Sequence, residues 1–213
     1  MALLNAEIAE QVAEMLENLE DDVQLVVFTT KNNCQYCNEI VRLAEEVAET
    51  SSKVTVAAYD FDTETEKAAA YNVTLAPVTV IVGKQDYGLR YYGLALGHEL
   101  STLLYGIQRA SQGDPDLDPQ TLDYLSGLTQ PVDIQVFVTP TCPYCPRAAV
   151  LAYDMAVASD KVVADVIESI EFQELANRFN VMGVPLNVIN GTSRVEGAAP
   201  PHMIVDAIKT ALA

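Results

Sequence analysis

Two Cys-x-x-Cys pairs stand one in each half of the chain, and a proline follows each at the same distance. The pairs are Cys34-Gln35-Tyr36-Cys37 and Cys142-Pro143-Tyr144-Cys145. Pro77 lies 43 positions beyond Cys34, and Pro185 lies 43 positions beyond Cys142. All four cysteines of the chain belong to these pairs. One site has been built twice, so the fold has to be one that a single half can complete.

The second half aligns with the first at an offset of 108: Tyr71-Asn72-Val73 through Pro77 to Val80-Ile81 faces Phe179-Asn180-Val181 through Pro185 to Val188-Ile189. Further on the offset falls to 104, where Arg90 and Gly93 match Arg194 and Gly197, and His98 matches His202. Cysteines, proline, glycine and histidine in the same order are hard to obtain by chance.

Each half alternates strand and helix patterns. In the first, the apolar run Val23 to Phe28 leads through a loop to Cys34 and to a helix with Ile40, Leu43, Ala44 and Val47 on one face. A strand from Val54 to Tyr59 and a short helix from Glu66 to Tyr71 precede Pro77. Val78 to Val82 and Tyr87 to Tyr92 then form a hairpin, and a last helix carries Leu100, Leu103, Leu104 and Ile107. The second half repeats the order: strand Ile134 to Val138, Cys142, a helix through Met155, strand Val162 to Val166, and a helix from Phe172 to Phe179. A hairpin follows, turned by Asn190-Gly191, a pair suited to the positive φ of tight turns. Each unit has a leading helix, marked by Leu4, Ile8, Val12, Met15 and Leu19 in one and by Leu122, Leu125 and Leu128 in the other. Ser111 to Pro119 has linker chemistry and divides the chain into units 1–114 and 115–213. So short a linker predicts that the units pack together.

A length of 213 residues with half of them hydrophobic suffices to bury a core without disulfide support. Four cysteines are too few for a disulfide scaffold, and Cys-x-x-Cys between strand and helix patterns reads as a thiol redox motif. The first ten residues lack the basic and apolar regions of an export signal, and no apolar run approaches membrane-spanning length, so a cytoplasmic location is expected. A net charge of −18 argues against nucleic acid and anionic membrane as partners. The acidity fits either a well-solvated surface or a high-salt cytoplasm.

The chemistry follows from position. A helix N-terminus offers free N–H groups and partial positive charge, which favour a thiolate, the attacking species in disulfide exchange. Cys34 and Cys142 are therefore the expected nucleophiles. Cys37 and Cys145, one turn on and deeper, are the resolving thiols. The competing reading is a zinc site, but 104 residues separate Cys37 from Cys142, far more than compact Cys-x-x-Cys zinc sites use. The motifs also differ. Pro143, with Pro146 beyond it, alters the supply of backbone N–H groups to the C-terminal thiolate, where the N-terminal site has Gln35 and Asn38. Their potentials should differ, and the C-terminal site is expected to exchange with most substrates. His98 and His202 read as surface or capping residues, not bases. The strands before the cysteines show only Gln24 and Gln135 as polar residues, so no buried proton acceptor is visible there.

Strand, Cys-x-x-Cys, helix, strand, helix, then X-Pro and a hairpin resemble the thioredoxin fold. Cys142-Pro143-Tyr144-Cys145 is similar to the motif of glutaredoxins. Two such units in one chain resemble the glutaredoxin-like protein disulfide oxidoreductases of archaea and thermophilic bacteria. The resemblance implies an α/β protein of two tandem thioredoxin-fold units, each a central mixed sheet flanked by helices. It implies cis bonds at Ala76-Pro77 and Val184-Pro185, with Ala76 and Val184 giving backbone contacts to substrate. Tyr36, Pro143 and Tyr144 would line the sites. The implied function is a thiol–disulfide oxidoreductase that reduces, forms or isomerises protein disulfides, with no cofactor beyond the redox-active disulfides. Its partners would be proteins with disulfides or dithiols, and a thioredoxin-reductase-like flavoprotein, since the chain has no Gly-x-Gly-x-x-Gly fingerprint of its own. A dedicated electron carrier to a peroxidase, with a peroxiredoxin as partner, is the related alternative. A metal-binding tandem domain is the unrelated one.

Overall fold

The computed structural model describes residues 2–32 and 34–213. The first unit comprises α1 (Ala6–Met15), β1 (Val23–Thr29), α2 (Cys37–Ala48), β2 (Val54–Asp60), α3 (Thr65–Ala70), β3 (Val78–Val82), β4 (Asp86–Tyr92) and α4 (Glu99–Gln112). The second comprises α5 (Pro119–Ser126), β5 (Val132–Val138), α6 (Cys145–Ala158), β6 (Val162–Glu168), α7 (Gln173–Arg178), β7 (Leu186–Ile189), β8 (Ser193–Glu196) and α8 (Pro201–Ala211). The repeated order read from the sequence is therefore present, with small shifts at the ends of elements. Leu128 lies beyond α5, and β5 begins two residues earlier than expected because Val132 and Asp133 continue the parallel ladder with Val162 and Val163.

Among the described residues the eight strands form one mixed sheet in the order β2-β1-β3-β4-β6-β5-β7-β8. The units join through β4 and β6, which run parallel with Leu89 to Tyr92 opposite Ala164 to Ile167. Alternation along the strands sends side chains to two layers. One face packs against the long helices α2, α4, α6 and α8, which contribute Val47, Ile107, Ala149 and Ile208. The other is covered by the short helices α3 and α7, through Ala68 and Ala176. Asn190 and Gly191 both take positive φ in the β7–β8 turn, as the sequence suggested.

The joint carries a buried charge. Arg90 of β4 is 2% exposed and sits opposite Asp165 of β6, which in turn faces Gln135 of β5. Its guanidinium donates to the Tyr71 carbonyl and lies 3.6 Å from Asp86 and 4.0 Å from Asp165. From the other face of the sheet, the Tyr153 hydroxyl of α6 donates to the Arg90 carbonyl at 3.1 Å. Burial, with repulsion from Asp133, pushes the Asp165 carboxyl up to about 7 against the pull of Arg90. Burial likewise pushes Asp133 up to about 6.

Asp165 thus holds its proton to higher pH in the folded chain than in the unfolded one, where its value is 3.8. The native state binds more protons across that window, so this group lowers stability as pH rises from about 4 to about 7 and adds no further change above that. In urea titrations, Asp165→Asn should flatten the fall in unfolding midpoint between pH 4 and pH 7. An unchanged slope would mean that Asp165 titrates normally.

Candidate active sites

Each cysteine pair is closed as a disulfide, with Cα atoms 5.6 Å apart at Cys34–Cys37 and 5.5 Å apart at Cys142–Cys145. The helices begin at the second cysteine of each pair, not at the first as the sequence suggested. The first cysteine occupies the turn leading in. Tyr36 and Tyr144 are the N-cap residues, and neither side chain caps its helix. No side-chain cap therefore competes with a sulfur anion for the first-turn N–H groups, although at the C-terminal site the Cys145 N–H already donates to the Cys142 carbonyl at 3.4 Å. At the C-terminal site Pro146 enters that first turn without an N–H to give, whereas Asn38 retains one.

The Ala76-Pro77 and Val184-Pro185 peptide bonds are both cis. The cysteine and proline loops come together at the C-terminal site, where the Cys142 sulfur lies 3.7 Å from the Val184 carbonyl oxygen. At the N-terminal site the Cys37 sulfur approaches the Thr30 backbone N–H at 3.4 Å.

Matched positions differ in their surroundings. Cys142 is 8% exposed and Cys145 is fully buried, while Cys34 and Cys37 are both half-buried. Tyr144 is 69% exposed beside an exposed Pro143. Its counterpart Tyr36 is half-buried, packs against the main core and accepts a hydrogen bond from Gln35 at 2.9 Å. Lys31, upstream of Cys34, is engaged with Asp60 at 2.9 Å. Their hydrogen bond raises the Lys31 ammonium and lowers the Asp60 carboxyl, so this cation is not left free for the thiolate. His98 and His202 are exposed. Among the described residues no group of three or more His, Cys, Asp or Glu is placed to hold a metal ion, and no helix is long and apolar enough to cross a membrane.

Sequence reasoning missed Glu99. It opens α4, directly after His98, whose backbone N–H donates to the Pro140 carbonyl in the loop that leads to Cys142. An acid in a first helical turn normally reads as an exposed, dipole-matched residue. Here tertiary packing buries the carboxylate completely, near the buried Tyr91 of β4 and Tyr153 of α6, and neither oxygen has a hydrogen-bond partner among the described residues. Burial pushes it up to about 7. The signal for this is tertiary and has no local trace.

The geometry agrees with comparisons against known proteins. The thioredoxin family model matches residues 5–104, and a thioredoxin domain model matches residues 132–209. The chain carries two thioredoxin domains in tandem. A protein disulfide oxidoreductase from Aeropyrum pernix is 26% identical, with a TM-score of 0.89 over 99% of this chain and 95% of that one. A structure of the F component of alkyl hydroperoxide reductase from Enterococcus faecalis, at 23% identity, shares the fold, with a TM-score of 0.88 over 96% and 99% of the two chains. Among curated proteins, the F component of alkyl hydroperoxide reductase from Staphylococcus epidermidis is 28% identical over 89% of this chain. The chain spans about a third of that relative's length, 34%. Tandem thioredoxin domains with paired cysteines make a thiol–disulfide oxidoreductase whose redox groups are the disulfides themselves.

Burial predicts unequal access to the reduced thiols. Brief treatment of the reduced protein with iodoacetamide should label Cys34 and Cys37, with Cys145 labelled at least about tenfold more slowly, as expected for a thiol without solvent access. Peptide mass spectrometry reads this out. Cys145 labelled as fast as Cys37 would contradict it.

Proposed function

We propose that the chain is a protein dithiol–disulfide oxidoreductase with two active sites, in units 1–114 and 115–213, working in the cytoplasm. The observation that carries this reading is a disulfide at the start of a helix, present twice, with a cis-proline in each unit and the proline loop in contact with the cysteine at the C-terminal site. The likeness to the Aeropyrum pernix protein disulfide oxidoreductase supports it.

In the reducing direction, the thiolate of Cys34 or Cys142 attacks a substrate disulfide. The substrate S–S bond breaks, a mixed disulfide forms, and the departing thiolate takes up a proton. Cys37 or Cys145, as thiolate, then attacks the enzyme sulfur of that mixed disulfide. The second substrate thiol leaves and is protonated, and the enzyme pair is left oxidised. Two electrons have passed to substrate, and a thioredoxin-reductase-like flavoprotein returns them. Run backwards, the same steps form a disulfide. Ala76 and Val184, each preceding a cis-proline, offer backbone groups to an extended substrate chain. Tyr36, Pro143 and Tyr144 line the approach. The exposed side chains of Tyr144 and of Met182, which lies in the Val184-Pro185 loop and is 87% exposed, favour protein contact at the C-terminal site.

A second reading has the chain feed electrons to a peroxide-reducing partner such as a peroxiredoxin. It rests on the similarity to the F component of alkyl hydroperoxide reductase. The two readings separate on substrate breadth, because a dedicated carrier reduces unrelated protein disulfides poorly.

Dithiothreitol-driven reduction of insulin tests the proposal. Cys142→Ser should lower the rate at least about tenfold and Cys34→Ser only a few-fold, the pattern of one dominant site. Equal losses would mean that the sites act in series or as equals. An inactive wild type would favour the dedicated carrier.

A further inference from the structure

A groove of about 770 Å³ runs from the N-terminal site onto the second unit. One wall is the first unit's own: Asn32, in the loop before Cys34, with Leu75, Ala76 and Pro77. The other wall comes entirely from the second unit and includes Ile170, Phe172 and Leu175. We propose that this groove is a composite substrate site, in which the second unit selects what the first unit's cysteines react with. Its occupant is an extended, disulfide-bearing polypeptide segment with an apolar side chain next to its cysteine. This rests on the proposed exchange at Cys34.

Three observations carry it. First, the groove begins at the loops of the first unit's site, since Asn32, two residues before Cys34, and the cis Ala76-Pro77 bond line its near end. Second, its chemistry fits a peptide. Among the described residues, neither Leu75 nor Ala76 spends its backbone N–H or carbonyl on a hydrogen bond, so an incoming chain finds free donors and acceptors there. Leu75, 38% exposed, and Ile170, 61% exposed, offer apolar contact from the two units. Glu174 and Arg178, both exposed, make the rim polar with both signs of charge, which leaves the apolar side chain as the selected element.

Third, the far wall is fastened to the first unit. The Glu171 carboxylate accepts from the Leu94 N–H at 2.7 Å. Phe172 meets Tyr92 edge-on, with ring centroids 5.9 Å apart. Glu168 accepts from the backbone N–H groups of Ile170 and Glu171, which fixes the turn presenting Ile170. Gly93 makes this approach possible. It sits at φ +98°, and a Cβ there would come within 2.7 Å of the Glu171 carboxylate and 2.9 Å of Glu168 Cβ. A wall held at these points is a preformed surface.

The test uses the full chain carrying Cys142→Ser, pre-reduced, in single-turnover reactions. The probes are bis(2-hydroxyethyl) disulfide and two disulfide-bridged peptides that differ only in leucine or serine next to the cysteine. The leucine peptide should react faster than the serine peptide. Ile170→Asp should lower the ratio of leucine-peptide to hydroxyethyl-disulfide rates about tenfold, the effect of losing roughly one good apolar contact. Ile170→Leu should restore it. Ile170 is exposed, so neither change threatens the fold. A parent that reacts with the small disulfide but does not prefer leucine overturns the groove alone, as does an Ile170→Asp ratio equal to the parent's. A parent inert to all three probes overturns the exchange at Cys34 and the groove with it.

Discussion

Parallel pairing of β4 with β6 is the contact on which the rest of the molecule depends. It turns two repeats into one sheet and sets Arg90 where it cannot reach water. A buried guanidinium is tolerated when carboxylates and carbonyls surround it, and here Tyr71, Asp86 and Asp165 do so from both units. The joint also fixes which loops meet across it. It brings the turn after β6 against the chain after β4, through Glu171 and Leu94. It also sets α4 alongside α6, where Gly106 leaves room for Tyr153: a Cβ there would sit 3.0 Å from its ring.

The two sites share a skeleton and differ in how they expose it. The cysteines, helix starts and cis-prolines superpose by sequence position. Around Cys142 lie prolines, a protruding tyrosine and a methionine at the surface. Around Cys34 lie a glutamine–tyrosine pair and a lysine committed to Asp60. Duplication followed by change in the surrounding side chains, with the frame retained, is sufficient to give one chain two thiol environments.

What the sequence disclosed was whatever repeats locally. The cysteine–proline spacing, the 3.6-residue stripe of Ile40, Leu43, Ala44 and Val47, and the Asn190-Gly191 turn each leave a mark within a few positions. Arg90 leaves none, because it looks like one polar residue in a strand until β6 arrives beside it. Glu99 is similar, since it is buried by tertiary packing that brings Tyr153 of α6 near it from the other unit. The start of each helix at the second cysteine also escaped notice, because the motif reads equally well as turn or first helical turn. Local periodicity gives the elements of such a chain, whereas the charges buried between them depend on the assembled sheet.

The way the sheet is joined has a geometric consequence. By repeat position, β4 corresponds to β8 and β6 corresponds to β2. The outer edges, β2 and β8, are thus the same kinds of edge that meet at the centre. Such head-to-tail joints leave the same two kinds of edge open at the ends, to which in principle further units could add. The last strand does not repeat its counterpart's length: β8 has four residues where β4 has seven, and it sets Arg194 and Glu196 at the surface. A short, charged border discourages another strand from docking. The β8 edge is thus poorly suited to pairing with a further strand, although by repeat position it is the edge that β4 presents to β6.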